Sequence, residues 1–167
     1  MIVVVMGVSG VGKTTIGKQI AKQLGARFLE GDDYHPKANI EKMSHGEPLT
    51  DADRKPWLDR LARELDASRV KGENVVLTCS ALRRLYRDIL RAGHDDVDFV
   101  FLDAEQAVIQ KRLDARKGHF MPPSLLDSQF AALERPGPDE RAVPADATQP
   151  PGAIVAAVLE RLQQRAG

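Results

Sequence analysis

Along this chain, short uninterrupted apolar runs alternate with stretches in which apolar residues recur every three or four positions. Continuous runs at 2–6, 75–79 and 97–102 predict buried β-strands. A shorter strand is predicted at 27–30, leading into Gly31, Asp32 and Asp33. Helical periodicity follows each run. Over 14–24 it places Ile16, Ile20, Ala21 and Leu24 on one face, with Gly25 as the stop. Residues 36–70 read as helical in pieces, broken at Gly46 and Pro48, with Pro56 marking a helix start or a kink. Further helices are predicted at 81–91, closed by Gly93, and at 104–116, 125–133 and 153–164. The pattern is interrupted at 118–123. Five prolines at 136, 138, 144, 150 and 151 predict mainly loop over 135–152, with a short strand at 142–143.

Strand followed by helix, repeated, predicts an α/β fold: a parallel sheet with helices on both faces. Ligands of such sheets bind beyond the carboxyl ends of the strands. The residues there are 7–15, Asp32 and Asp33, Ser80, Asp103 and the region of Asp146.

A length of 167 residues suits one domain. The 24 basic and 24 acidic side chains balance, which removes any charge argument for a nucleic-acid partner. The single cysteine, Cys79, excludes an intramolecular disulfide, and a buried structural thiol is its expected role. The apolar start lacks a basic leader and is too short to span a bilayer. The expectation is a soluble cytoplasmic protein with no membrane partner.

Specific chemistry enters at Gly7-Val8-Ser9-Gly10-Val11-Gly12-Lys13-Thr14, a full match to GxxxxGK[ST] between a predicted strand and a predicted helix. Glycines let the backbone wrap phosphates, and the helix N-terminus adds favourable dipole charge. Lys13 is expected to reach the β- and γ-phosphates of ATP, and the Thr14 hydroxyl to ligate Mg²⁺. Ser9 and Thr15 are candidates for additional phosphate hydrogen bonds. The motif alone leaves kinase, NTPase and nucleotide switch open.

Asp32 and Asp33 follow a strand end beside this loop. A carboxylate there can accept the proton of an attacking hydroxyl or hold a water on the metal. His35 stands next to them. Arg112 and Arg116 lie four apart on one helical face ahead of Gly118, with Lys111, Lys117 and His119 nearby. A basic helix end followed by a loop predicts a lid over phosphates at about 112–127. Arg83, Arg87 and Arg91 form a stripe, and with Arg54 they supply candidates for gripping a substrate carboxylate. Trp57, the only tryptophan, reads as a core anchor.

Taken together, GVSGVGKTT (7–15), EGDDYHP (30–36), GEPLTDADRKPWL (46–58), CSALRRLYRDILR (79–91) and RKGHFMPPSLLDSQFAALERP (116–136) resemble the small P-loop gluconokinases over nearly the whole chain. The resemblance implies ATP-dependent phosphorylation of D-gluconate to 6-phosphogluconate. It also implies a five-stranded parallel core similar to shikimate and nucleoside monophosphate kinases, a substrate-binding region at about 32–70, a lid, and a possible homodimer. Carried over, Lys13 and Thr14 handle phosphates and Mg²⁺, Asp32 contacts the acceptor hydroxyl, and His35 belongs to the gluconate signature. Arg112 resembles the arginine on adenine and Arg116 a lid arginine. There are departures: Arg83 stands where lysine is expected, Tyr34 replaces a residue that is often aliphatic, and 121–126 has two prolines and no added charge. A kinase for another small acceptor, such as shikimate or a nucleotide, is the first alternative. Few aromatic residues are available to stack a nucleotide acceptor. A nucleotide-dependent switch is the second, and Asp32 beside a basic lid argues against it.

Overall fold

The computed structural model describes residues 1–116 and 123–166, without the side chains of Pro123 and Ala166. Five strands form one parallel sheet: β1 (Ile2–Met6), β2 (Arg27–Glu30), β3 (Val75–Thr78), β4 (Val97–Asp103) and β5 (Ala142–Asp146). Their order across the sheet is β2-β3-β1-β4-β5. All five carboxyl ends therefore lie along one rim, and the chain winds to opposite sides of the central β1. Every residue of β1 is buried, as a strand covered on both faces must be.

Among the described residues there are seven α-helices: α1 (Lys13–Leu24), α2 (Lys37–Ser44), α3 (Asp51–Lys71), α4 (Arg84–Arg91), α5 (Gln106–Ala115), α6 (Pro123–Ala132) and α7 (Pro151–Ala166). Alternation along β1 splits the core. Val3 and Val5 face Ile16, Ile20, Ile109 and Val158, from α1, α5 and α7. Ile2, Val4 and Met6 face Trp57, Leu61, Tyr86 and Leu90, from α3 and α4. Helix α1 lies close to the sheet at Gly17, where a Cβ would come within 2.9 Å of Thr78 Cγ2 and 3.0 Å of Phe28.

Three of the shifts from the expected boundaries have a clear local cause. Helix α3 starts at Asp51, not at Pro56, because Thr50 and Asp53 form a capping box at its N-terminus. Pro56 then sits inside the helix. It forfeits one exposed backbone bond, and burial of Trp57, Leu58, Leu61 and Leu65 on the next turns outweighs that loss. Helix α4 begins at Arg84 because Ala81 adopts a left-handed φ of 45° and Arg83 is extended. Strand β5 runs to Asp146 through Pro144, which an edge strand tolerates.

Candidate active site

The phosphate loop leaves β1 at Gly7 and enters α1 at Lys13. It turns on Gly7, Gly10 and Gly12, with φ of 143°, 82° and 103°. At two of them space adds to the argument: a Cβ at Gly7 would lie 2.8 Å from the Leu102 carbonyl oxygen, and one at Gly10 would lie 3.0 Å from Leu113 Cδ2. The Gly7 N–H donates to Ser80 O at 3.2 Å, tying the loop to the end of β3. Val8 and Val11 bury their side chains beneath the loop, so these two positions offer only backbone to a ligand. Helix α1 has Gly12 as N-cap, no side-chain cap and no acidic residue in its first turn. Its opening N–H groups are thereby left for an anion.

Lys13 is half-buried, and its Nζ donates to Gly7 O and Val8 O at 2.9 Å each. Burial lowers its pKa, and Asp32, Cys79 and Glu30 pull it back up. The Thr14 hydroxyl donates to Glu30 Oε2 at 2.6 Å, and the other oxygen of Glu30 accepts from Thr78 at 2.6 Å. Thr15 is exposed on α1. Ser9 is gripped twice by α6: its N–H donates to Gln129 Oε1 at 2.7 Å, and its hydroxyl accepts from Gln129 Nε2 at 3.0 Å.

A cavity of about 300 Å³ opens beside the loop. Lys13, Asp32, His35, Arg54, Trp57 and Gln129 are among its walls. Asp32 sits on a 3₁₀ turn (Gly31–Tyr34) directly after β2, with its carboxylate mostly in solvent. The turn is pinned from both sides. Gly31 N–H donates to Thr78 Oγ1 at 3.2 Å, and Trp57 Nε1 donates to Gly31 O at 2.8 Å. His35 stacks on Trp57, with ring centroids 3.9 Å apart and planes 18° apart. Burial lowers the His35 pKa; Asp32 opposes the shift and Arg54 adds to it. Arg54 donates to Leu49 O and, at 3.1 Å, to Tyr86 Oη. A larger open cleft of about 790 Å³ lies at the ends of β4 and β5. It holds the Arg135–Asp103 ion pair and no phosphate-loop residue, whereas Ser9 and Lys13 line the smaller cavity.

The remaining expected residues fall elsewhere. Arg87 is fully buried and cannot grip a substrate. Its Nε donates to Glu140 Oε1 at 2.7 Å and its Nη1 to Ala81 O at 2.8 Å. Glu140 also takes Arg91, at 2.8 Å. Arg83 pairs with Asp51 at 2.5 Å and is not among the cavity walls. Arg112 donates to Ala147 O at 2.6 Å, joining α5 to the loop after β5. Arg116 is exposed at the end of α5. Residues 117–122, where Lys117, His119 and the middle of the expected lid fall, lie outside the described residues. Gln129 and Glu30 were not anticipated as site residues. Gln129 is a neutral amide 120 positions from Ser9, and Glu30 reads as the last residue of a strand. Burial pushes the Cys79 thiol up to about 12, which makes it an inert structural residue.

A family model described as the AAA domain matches residues 2–136. The gluconokinase of Gluconobacter oxydans is 48% identical over 161 residues, covering 96% of this chain and 90% of that protein. The thermoresistant gluconokinase of Escherichia coli K12 is 45% identical, covering 98% and 94%. The chain belongs to the gluconokinase family. A crystal structure of a gluconokinase from Sinorhizobium meliloti superposes with a TM-score of 0.91 at 48% identity, over 99% of this chain and 93% of that one. The sheet, the phosphate loop and this membership make the fold that of a P-loop kinase and the chemistry ATP-dependent phosphoryl transfer. Among the described residues, no helix is long and apolar enough to cross a membrane.

Proposed function

We propose that this enzyme transfers the γ-phosphoryl group of ATP to the terminal hydroxyl of D-gluconate. The observation that carries the reading is that one cavity joins the phosphate-loop lysine, Lys13, to Asp32, His35 and Arg54, in a chain of the gluconokinase family.

The roles follow from position. The backbone N–H groups of 7–14 and the α1 N-terminus hold phosphates, and Lys13 neutralises charge that shifts as transfer proceeds. Asp32 stands across the cavity from the loop, where an acceptor hydroxyl must approach in line. The acceptor O–Pγ bond forms as the bond from Pγ to the ADP oxygen breaks, and the hydroxyl proton passes to Asp32. Such a reaction asks more of orientation than of a strong base. Arg54 is the cavity's arginine for the gluconate carboxylate; Arg83 keeps Asp51 and sits beside Tyr86 behind it. Thr14 and Glu30 offer hard oxygen donors that fit Mg²⁺ at the phosphates. Mg²⁺ bound there supplies charge neutralisation on the phosphate oxygens. On family likeness we also assign Arg112 to the adenine side and Arg116 to the phosphates. On the same basis we expect a cytoplasmic homodimer acting without nucleic acid.

The test compares ADP release with gluconate, shikimate, a nucleoside monophosphate, sorbitol and no acceptor. Gluconate is expected to be strongly preferred, and sorbitol to be poor because it lacks the carboxylate for Arg54. Gluconate turnover at the no-acceptor blank overturns the substrate. Asp32→Asn is expected to lower kcat by about 10²-fold or more while sparing ATP binding. Normal turnover in that variant overturns the role of Asp32 alone.

A further inference from the structure

Asn39 lies on α2, 4% exposed, and its side-chain amide makes two contacts whose chemistry constrains each other. One runs at 3.0 Å to the backbone carbonyl of Asp53, which can only accept. The amide atom pointing there is therefore nitrogen, with two hydrogens to give. The second hydrogen points to His35 Nδ1 at 3.2 Å. An amide nitrogen has no lone pair to offer, so Nδ1 must be the accepting, unprotonated nitrogen of the ring. The ring proton is then on Nε2. That nitrogen lies 3.7 Å from Asp32 Oδ1, and both residues line the cavity.

A separation of 3.7 Å is too long for a direct hydrogen bond but allows one oxygen to serve both groups. We propose that Asn39 fixes His35 as its Nε2–H tautomer, and that this N–H and the Asp32 carboxylate together seat the acceptor hydroxyl. His35 donates to the hydroxyl oxygen, and Asp32 accepts the hydroxyl proton. The proposal rests on the phosphoryl-transfer reading of the cavity. It assigns Asn39 as a positioning residue, and it gives His35 a role that needs no change of its own protonation. The opposite tautomer would aim a lone pair at the carboxylate and leave the hydroxyl oxygen without a donor.

The surroundings favour a neutral ring. Trp57 covers one face of it, and the charged neighbours are Asp32 and Arg54, acting in opposite directions. An imidazolium would close directly on Asp32 and compete with the acceptor for the carboxylate.

Two measurements test this. Long-range ¹H–¹⁵N spectra of the wild-type protein at pH 7.5, with His35 assigned by its loss in His35→Gln, are expected to show Nε2 protonated and Nδ1 bare. A proton on Nδ1, or on both nitrogens, overturns the proposal whatever the substrate proves to be. The second measurement is a cycle on kcat with gluconate. Asn39→Leu is expected to lower kcat by about tenfold or more in the wild-type background. In a His35→Gln background it should cost less than about twofold, since a glutamine amide carries its N–H near the position of Nε2 and has no tautomer to set. Equal losses in the two backgrounds mean that Asn39 only supports the fold, and overturn the assignment. If the leucine variants do not fold, the spectra of the wild type decide alone. A wild-type protein inactive on gluconate but carrying the Nε2–H tautomer rejects the substrate and keeps the tautomer lock.

Discussion

Replacing Trp57 by phenylalanine separates the two jobs of this side chain, filling the core and pinning the Gly31–Tyr34 turn. The indole is 2% exposed and its Nε1 donates to Gly31 O at 2.8 Å. Phenylalanine keeps a ring for the core and for His35 but removes the donor. The volume lost is about 40 Å³, which at about 24 cal/mol per Å³ is about 1 kcal/mol. Leaving the buried Gly31 carbonyl without this partner adds about 1–3 kcal/mol. The sum, about 2–4 kcal/mol, lowers Tm by about 5–15 °C in a chain of this size. The functional effect follows from geometry. Gly31 directly precedes Asp32, and freeing its carbonyl lets the carboxylate leave the line of attack. We therefore expect kcat with gluconate to fall about tenfold while the KM for ATP holds. Thermal unfolding by circular dichroism and steady-state kinetics measure both. A Tm loss under about 2 °C would refute the buried-bond argument. A normal kcat in a destabilised variant would refute the coupling of Trp57 to Asp32.

Two further outcomes are expected. Lys13→Ala should lower turnover by about 10²-fold or more in a protein that still unfolds cooperatively; near wild-type activity would remove Lys13 from phosphate chemistry. The Glu140 carboxyl is held at about 2, below its ordinary 4.5, because Arg87, Arg91 and the Gly137 N–H favour its charged form over the burial that opposes it. A depressed folded-state pKa gives stability that is present above the unfolded value and lost as pH falls from about 4.5 toward 2. Glu140→Gln should therefore be less stable at pH 7 by about 3–5 kcal/mol, with a flatter dependence on pH through that window in urea titrations; an unchanged slope would refute the assignment.

Local signals account for what the sequence revealed. Strand β1 and the phosphate loop were legible because continuous burial and a fixed glycine spacing are written within thirteen residues. The placement of Asp32 and His35 beside the phosphate loop was legible because they follow a strand end. Arg87 misled because a charged residue on a helix reads as surface or ligand, and the partner that buries it is 53 positions away. The start of α3 was missed for the opposite reason: Pro56 is conspicuous, whereas the capping pair of Thr50 and Asp53 is quieter and decides the boundary. Asn39 and Gln129 carry no charge and no periodic signal, and their roles exist only once α2 and α6 are folded against the loop and the turn.

The strand end at β2 shows how the fold divides the chemistry. Glu30 and Asp32 are two residues apart, yet their carboxylates work on different partners. Glu30 bridges Thr14 and Thr78 on the side where the phosphate loop would hold metal-bound phosphate. Asp32 lines the cavity of about 300 Å³ together with His35. What keeps them apart is Gly31, where any Cβ would collide with the Thr78 carbonyl oxygen. With no side chain, the backbone lies flat on the end of β3, takes one hydrogen bond from Trp57 and gives one to Thr78. On the proposed roles, the distance between phosphate donor and acceptor hydroxyl is thus set by β3 and α3, and not by the freedom of a loop. A turn held this way can orient a hydroxyl with little reorganisation during transfer, and that is what a phosphoryl transfer governed by positioning requires.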